Sequence, residues 1–168
     1  MDILTFIVTV VAVTASGVLA PGPLFFANVA QGIKSGAKSG LAFSVAHSII
    51  EFSLIMLLAL GVLSVANEPS VKLIIGFAGG IALLVFGVLQ IHGSISSNPT
   101  QPSRCRTRLE YYFLFGLHFT GLNPYFILWW LTVGLKLISD AWALASWAGV
   151  ATLFVAHVWM DYAWLTAT

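Results

Sequence analysis

The chain has 168 residues, 59% of them hydrophobic and only 8% charged, where an ordinary soluble domain carries about 25% charged residues. Seven basic and six acidic side chains cannot wet the surface of a soluble enzyme of this size, so lipid is the expected solvent. A net charge of +1 offers nucleic acid no basic excess, and a lone Cys105 excludes an intrachain disulfide, a CxxC redox pair and a cysteine-rich zinc site.

The first uncharged run, Ile3–Ile33, predicts a membrane helix over about 3–30, since a hydrocarbon core of about 30 Å is crossed by about 20 helical residues. Met1-Asp2-Ile3 has no basic start and the small-residue site Val18-Leu19-Ala20 is followed by Pro21, so the run is read as a helix and not as a cleaved leader. Pro21-Gly22-Pro23 removes backbone donors and releases carbonyls of the preceding turn, so the helix should kink or unwind there. Freed backbone groups at that depth can bind an amino, carboxylate or cation group without a charged side chain. Asn28 is an amide in an apolar setting, a candidate for substrate binding or for an interhelical hydrogen bond.

A basic loop with Lys34 and Lys38 leads to a second helix over about 41–66. Its His47 and Glu51, four apart, share a face that Ser44 and Ser48 extend. A carboxylate inside a bilayer is costly and persists where it meets a partner, a cavity or a proton path. The third helix, about 72–92, contains Gly76 and Gly80 in a close-packing GxxxG pattern and ends on an interfacial His92. The Pro/Ser-rich segment 93–110, with three arginines, reads as a linker.

A fourth helix over about 111–135 is interrupted at Asn123-Pro124. His118 reads as a hydrogen-bonded packing residue, and one of Trp129 and Trp130 could wall a cavity. Lys136–Ser146 reads as a loop, and a fifth helix spans about 142–168 with His157 and Asp161 again four apart. Trp142, Trp147 and Trp164 lie near helix ends, where an interfacial belt is expected. The runs are apolar all round, which favours helices over the alternating strands of a membrane barrel.

Two halves emerge: 1–92 as a first three-helix repeat and 111–168 as a second. Val45-Ala46-His47, then an acid and an aromatic at Glu51-Phe52, recurs as Val155-Ala156-His157 with Asp161-Tyr162. Each motif follows a proline-broken helix. An odd helix count per repeat makes the second copy enter from the opposite side, and inverted repeats are a transporter architecture. The chain thus reads as an all-α integral membrane protein with five of six expected helices, the sixth falling at about 180–200 by the repeat offset. Lys34, Lys38, Arg104, Arg106 and Arg108 on one side, against Lys72 and Lys136 on the other, place the N-terminus outside.

Pro21-Gly22-Pro23 followed by Gln31-Gly32, the Lys34–Leu41 basic loop and a second helix resembles the LysE/RhtB family of amino-acid exporters, and Asn123-Pro124 after Gly116 and Gly121 is similar to that family's second landmark. The resemblance covers about residues 10–165. It implies a six-helix exporter in the cell membrane, embedded in lipid, moving small amino acids or relatives with the proton gradient. On this reading Pro21, Gly22, Pro23, Asn28, Asn123 and Pro124 bind substrate, while His47, Glu51, His157 and Asp161 carry the coupling proton. The alternative is a divalent-metal transporter whose ligands are those same four side chains. A membrane metal hydrolase would need a general base and an HExxH-type cluster that the sequence lacks, so no enzyme, cofactor or resident metal is expected. Homo-oligomer formation stays open.

Overall fold

The computed structural model describes residues 2–20, 22–61 and 109–168, together with 70, 77, 81 and 88. Among these residues there are helices and no strand. Pro21, the predicted third helix with Gly76, Gly80 and His92, and the linker as far as residue 108 lie outside the described residues, apart from the four isolated helical positions.

Helix α1, Ile3–Val18, starts on Asp2, whose carboxylate accepts from the Thr5 N–H at 3.0 Å. That bond and a second from the Thr5 hydroxyl hold the Asp2 carboxyl below its ordinary value. The helix stops where the proline motif predicts. Gly22 becomes the N-cap of α2, Pro23–Ser35, with Pro23 in the first turn where a missing N–H costs nothing. The two pieces bend by 71° at the break. Gly36, at φ 66°, then turns the chain directly into α3, Ala37–Ala59, a conformation that glycine adopts freely.

The C-terminal part follows the same order. Helix α4, Leu109–Gly121, ends before Asn123, whose side chain accepts from the Tyr125 N–H at 3.1 Å and so caps α5, Pro124–Trp129. A widened π turn over Trp130–Gly134 leads into α6, Leu135–Ala167. The expected loop at Lys136–Ser146 is instead helical to residue 144, because nothing there breaks a helix and Lys136 pairs with Asp140 four residues on, at 2.5 Å. The reversal is confined to Ala145 and Ser146, the latter at φ 49°. A Cβ on Gly149 would overlap the Ala141 carbonyl, so the arms 135–144 and 147–167 lie side by side as a hairpin.

Helix α3 sits at the centre, packed on α2, α4 and α6, with α1 against α6. Small residues permit this. A Cβ on Gly116 would come within 2.7 Å of Ala46 Cβ, and one on Gly40 would overlap the Leu165 carbonyl. Two apolar clusters form the core, one around Phe6, Val10, Ile55, Trp130, Ile138 and Leu153 and one around Leu24, Phe43, Tyr112 and Leu165. Phe43 meets Leu165 in one cluster and Ile55 meets Leu153 in the other, so α3 and the arm 147–167 run antiparallel. Outward-facing Val8, Leu41, Ile49, Phe52, Leu114, Val155 and Trp159 are exposed, as lipid-facing side chains of a membrane protein are. Ala37–Ala59 and Tyr125–Ala167 are long and apolar enough to cross a bilayer, and the bent α1–α2 pair passes the same test if taken together.

Candidate functional site

Between the two apolar clusters, α3 presents Ser44, His47, Ser48 and Glu51, and the arm 147–167 presents His157 and Asp161, all of them buried. Antiparallel packing crosses the pairs: each acid faces the histidine of the other helix. His157 Nε2 donates to Glu51 Oε1 at 2.7 Å, and His47 Nε2 lies 3.7 Å from Asp161 Oδ1. Within each helix His47 is 3.7 Å from Glu51, and His157 is 3.0 Å from Asp161. The single Nε2–H of His157 is directed to Glu51, so the approach to Asp161 lacks hydrogen-bond alignment and leaves its Oδ2 without a donor. Glu51 Oε2 and His157 Nδ1 are also buried without partners. His47 is held from the other side by Thr120 Oγ1, 3.1 Å from its Nδ1.

Of these side chains His47, Glu51, His157 and Asp161 line a cavity of about 80 Å³, large enough to hold water. Both proline breaks reach it. Gly22 and Asn123 line the cavity, and a Cβ on Gly22 would stand 3.8 Å from Asn123 Nδ2. No side chain caps α2, so the Leu24 and Phe25 amides in its first turn have no intrahelical acceptor, and both residues line the cavity. Aromatic rings enclose the rest. Trp130 stands edge-on to the His157 ring at 5.7 Å, Trp129 lies parallel to it at 6.4 Å, and Phe25 stacks on Trp164 at 5.7 Å.

The candidates from sequence therefore separate. His47, Glu51, His157, Asp161, Gly22 and Asn123 gather at one cavity; Pro23 opens α2 and Pro124 opens α5 beside it. Asn28 does not line the cavity: its Nδ2 donates to Leu165 O at 2.7 Å and Thr168 Oγ1 at 2.9 Å, the interhelical alternative. Trp164 walls the cavity, while Trp142 and Trp147 are exposed. Both Trp129 and Trp130 line the cavity, and His118 is exposed, not packed. Thr120 and Trp164 were missed as site residues. Trp164 had a signal: it lies three beyond Asp161 and seven beyond His157, on their face of the helix.

The cavity is chemically two-sided. Carboxylates and imidazoles come from α3 and the arm 147–167, and donors come from the N-terminus of α2 and the Asn123 amide. One atom each from His47, Glu51 and Asp161 also lies within 4.8 Å of the others, a set that could hold a divalent cation. No curated protein and no solved structure matches the chain. A family model described as LysE type translocator matches residues 15–168.

Proposed function

The chain belongs to the LysE type translocator family and is a multi-pass membrane protein that transports small molecules, and from this premise we propose that it exports amino acids across the cell membrane in exchange for protons. The two-sided cavity supports this reading. A zwitterion has an ammonium group to set against Glu51 and Asp161 and a carboxylate to set against the free amides of α2 and the Asn123 side chain. Glu51 with His47, and Asp161 with His157, carry the coupling proton, because each carboxylate needs either a proton or a cationic partner when water is excluded.

The repeated order of elements favours alternating access by inverted repeats, with the N-terminus outside. In both parts a helix ends at a proline-led break, a second helix reverses at a positive-φ residue, and a third presents His and acid four apart. The antiparallel run of α3 and the arm 147–167 is what such a symmetry requires. A second reading, a divalent-metal transporter, draws on the convergence of His47, Glu51 and Asp161.

Purified protein in proteoliposomes discriminates between them. Export predicts that an imposed pH gradient drives amino-acid flux and that Glu51→Gln abolishes the proton dependence. Unchanged proton-coupled flux in that variant overturns the coupling role. Stoichiometric metal flux without amino-acid flux overturns the substrate and installs the second reading.

A further inference from the structure

The cavity wall holds an observation that zwitterion recognition does not use. Past the His–acid cluster and the donors at the breaks, the lining is mostly apolar, with Leu24, Phe25, Trp129 and Trp164 in it; Thr14 and Tyr125 add hydroxyls, and no Lys or Arg is among the described lining residues. Phe25 and Trp164 form a parallel stack, 18° between ring planes, that brings the arm 147–167 against the first turn of α2. The indole Nε1–H of Trp164 is buried without an acceptor, an arrangement that is costly unless a ligand completes it.

We infer that Phe25 and Trp164 form the side-chain subsite of the transporter and select an amino acid whose side chain is apolar, while the Trp164 indole N–H donates to the substrate carboxylate. The inference rests on the amino-acid reading given above. An acidic side chain would bring a third carboxylate beside Glu51 and Asp161 with no cation to receive it. A cationic side chain would have to shed its water against ring faces, and the cation–π attraction of such faces is small beside the desolvation of an ion. An apolar side chain loses no hydration of value and gains the burial of its surface. Phe25 is the third residue of α2, so the ring stack adjoins the free amides of that helix's first turn. The Trp164 N–H can then act together with them on one carboxylate.

Quenching of the cavity tryptophans in detergent-solubilised protein, titrated with leucine, phenylalanine, lysine, glutamate and the decarboxylated amine of phenylalanine, tests this. Leucine or phenylalanine should bind at least tenfold more tightly than lysine or glutamate, and also more tightly than the amine. Trp164→Phe keeps the ring and removes the N–H, so it should weaken every amino acid by about tenfold while leaving their ranking intact. Phe25→Ala should narrow the apolar preference several-fold without changing the relative loss of the decarboxylated amine. Lysine or glutamate binding as tightly as leucine in the unmodified protein overturns the inference, as does an apolar preference that Phe25→Ala leaves undiminished. Failure of all five ligands, with flux of a different solute in proteoliposomes, refutes the amino-acid reading itself and is distinguishable from either result.

Discussion

Replacing His157 by Phe isolates the contact on which the cluster is built. Glu51 is only 1% exposed, and its one direct hydrogen bond comes from His157 at 2.7 Å; the remaining histidine, His47, stands 3.7 Å away, beyond hydrogen-bond reach. Removing one partner of a buried pair while the other stays charged costs about 3–5 kcal/mol, or about 150- to 4000-fold in the unfolding equilibrium. Replacing both partners by apolar groups of similar size is close to neutral. The double variant His157→Phe/Glu51→Leu should therefore recover most of the stability lost in the single one. The assay is denaturant unfolding in detergent followed by tryptophan fluorescence, read as a double-mutant cycle. A single variant within about 1 kcal/mol of the parent, with no coupling between the sites, would refute the reasoning. Both variants should lose proton-driven transport, which separates the group's structural role from its functional one.

Three further outcomes follow from backbone and packing. A Cβ on Gly134 would overlap the Trp130 ring and stand 2.9 Å from its Cδ2, so Gly134→Ala should displace Trp130 from His157 and cut transport tenfold or more in protein that still inserts and purifies. Ser146 holds φ 49° and ψ −127°, a region that suits glycine; Ser146→Gly should raise stability by about 1 kcal/mol, visible as a higher Tm with transport unchanged. Asn28→Leu deletes two donated bonds and strips the Leu165 carbonyl of its side-chain donor, so it should cost about 1–3 kcal/mol in the same unfolding assay yet leave substrate affinity nearly unaltered.

The sequence carried the breaks and the repeated His-x3-acid faces because both are local: a proline removes its own donor, and a four-residue spacing is fixed by helix geometry. What it did not carry is pairing. Glu51 and His157 are 106 residues apart, and nothing in either helix says that the partner arrives antiparallel with each acid opposite the other histidine. The nine extra residues between Pro124 and His157, compared with Pro23 to His47, suggest a loop at Lys136–Ser146, but the surplus is taken up as helix and the reversal needs only Ala145 and Ser146, neither of them a turn signal. Trp164 shows the limit of composition rules. Position near a helix end points to the bilayer interface and says nothing of the cavity, whereas its register with Asp161 puts it on the cavity face.

The crossed arrangement on α3 and the arm 147–167 has a mechanical consequence. Each acid has two histidines within 3.7 Å, one across the helix interface and one on its own helix. If the two helices slide or tilt apart, the across-interface contacts lengthen while the in-helix ones travel with the backbone, so every carboxylate keeps a basic neighbour throughout the stroke. Opening this seam costs Glu51 its one direct hydrogen bond, from His157, but leaves each carboxylate a histidine one turn away on its own helix.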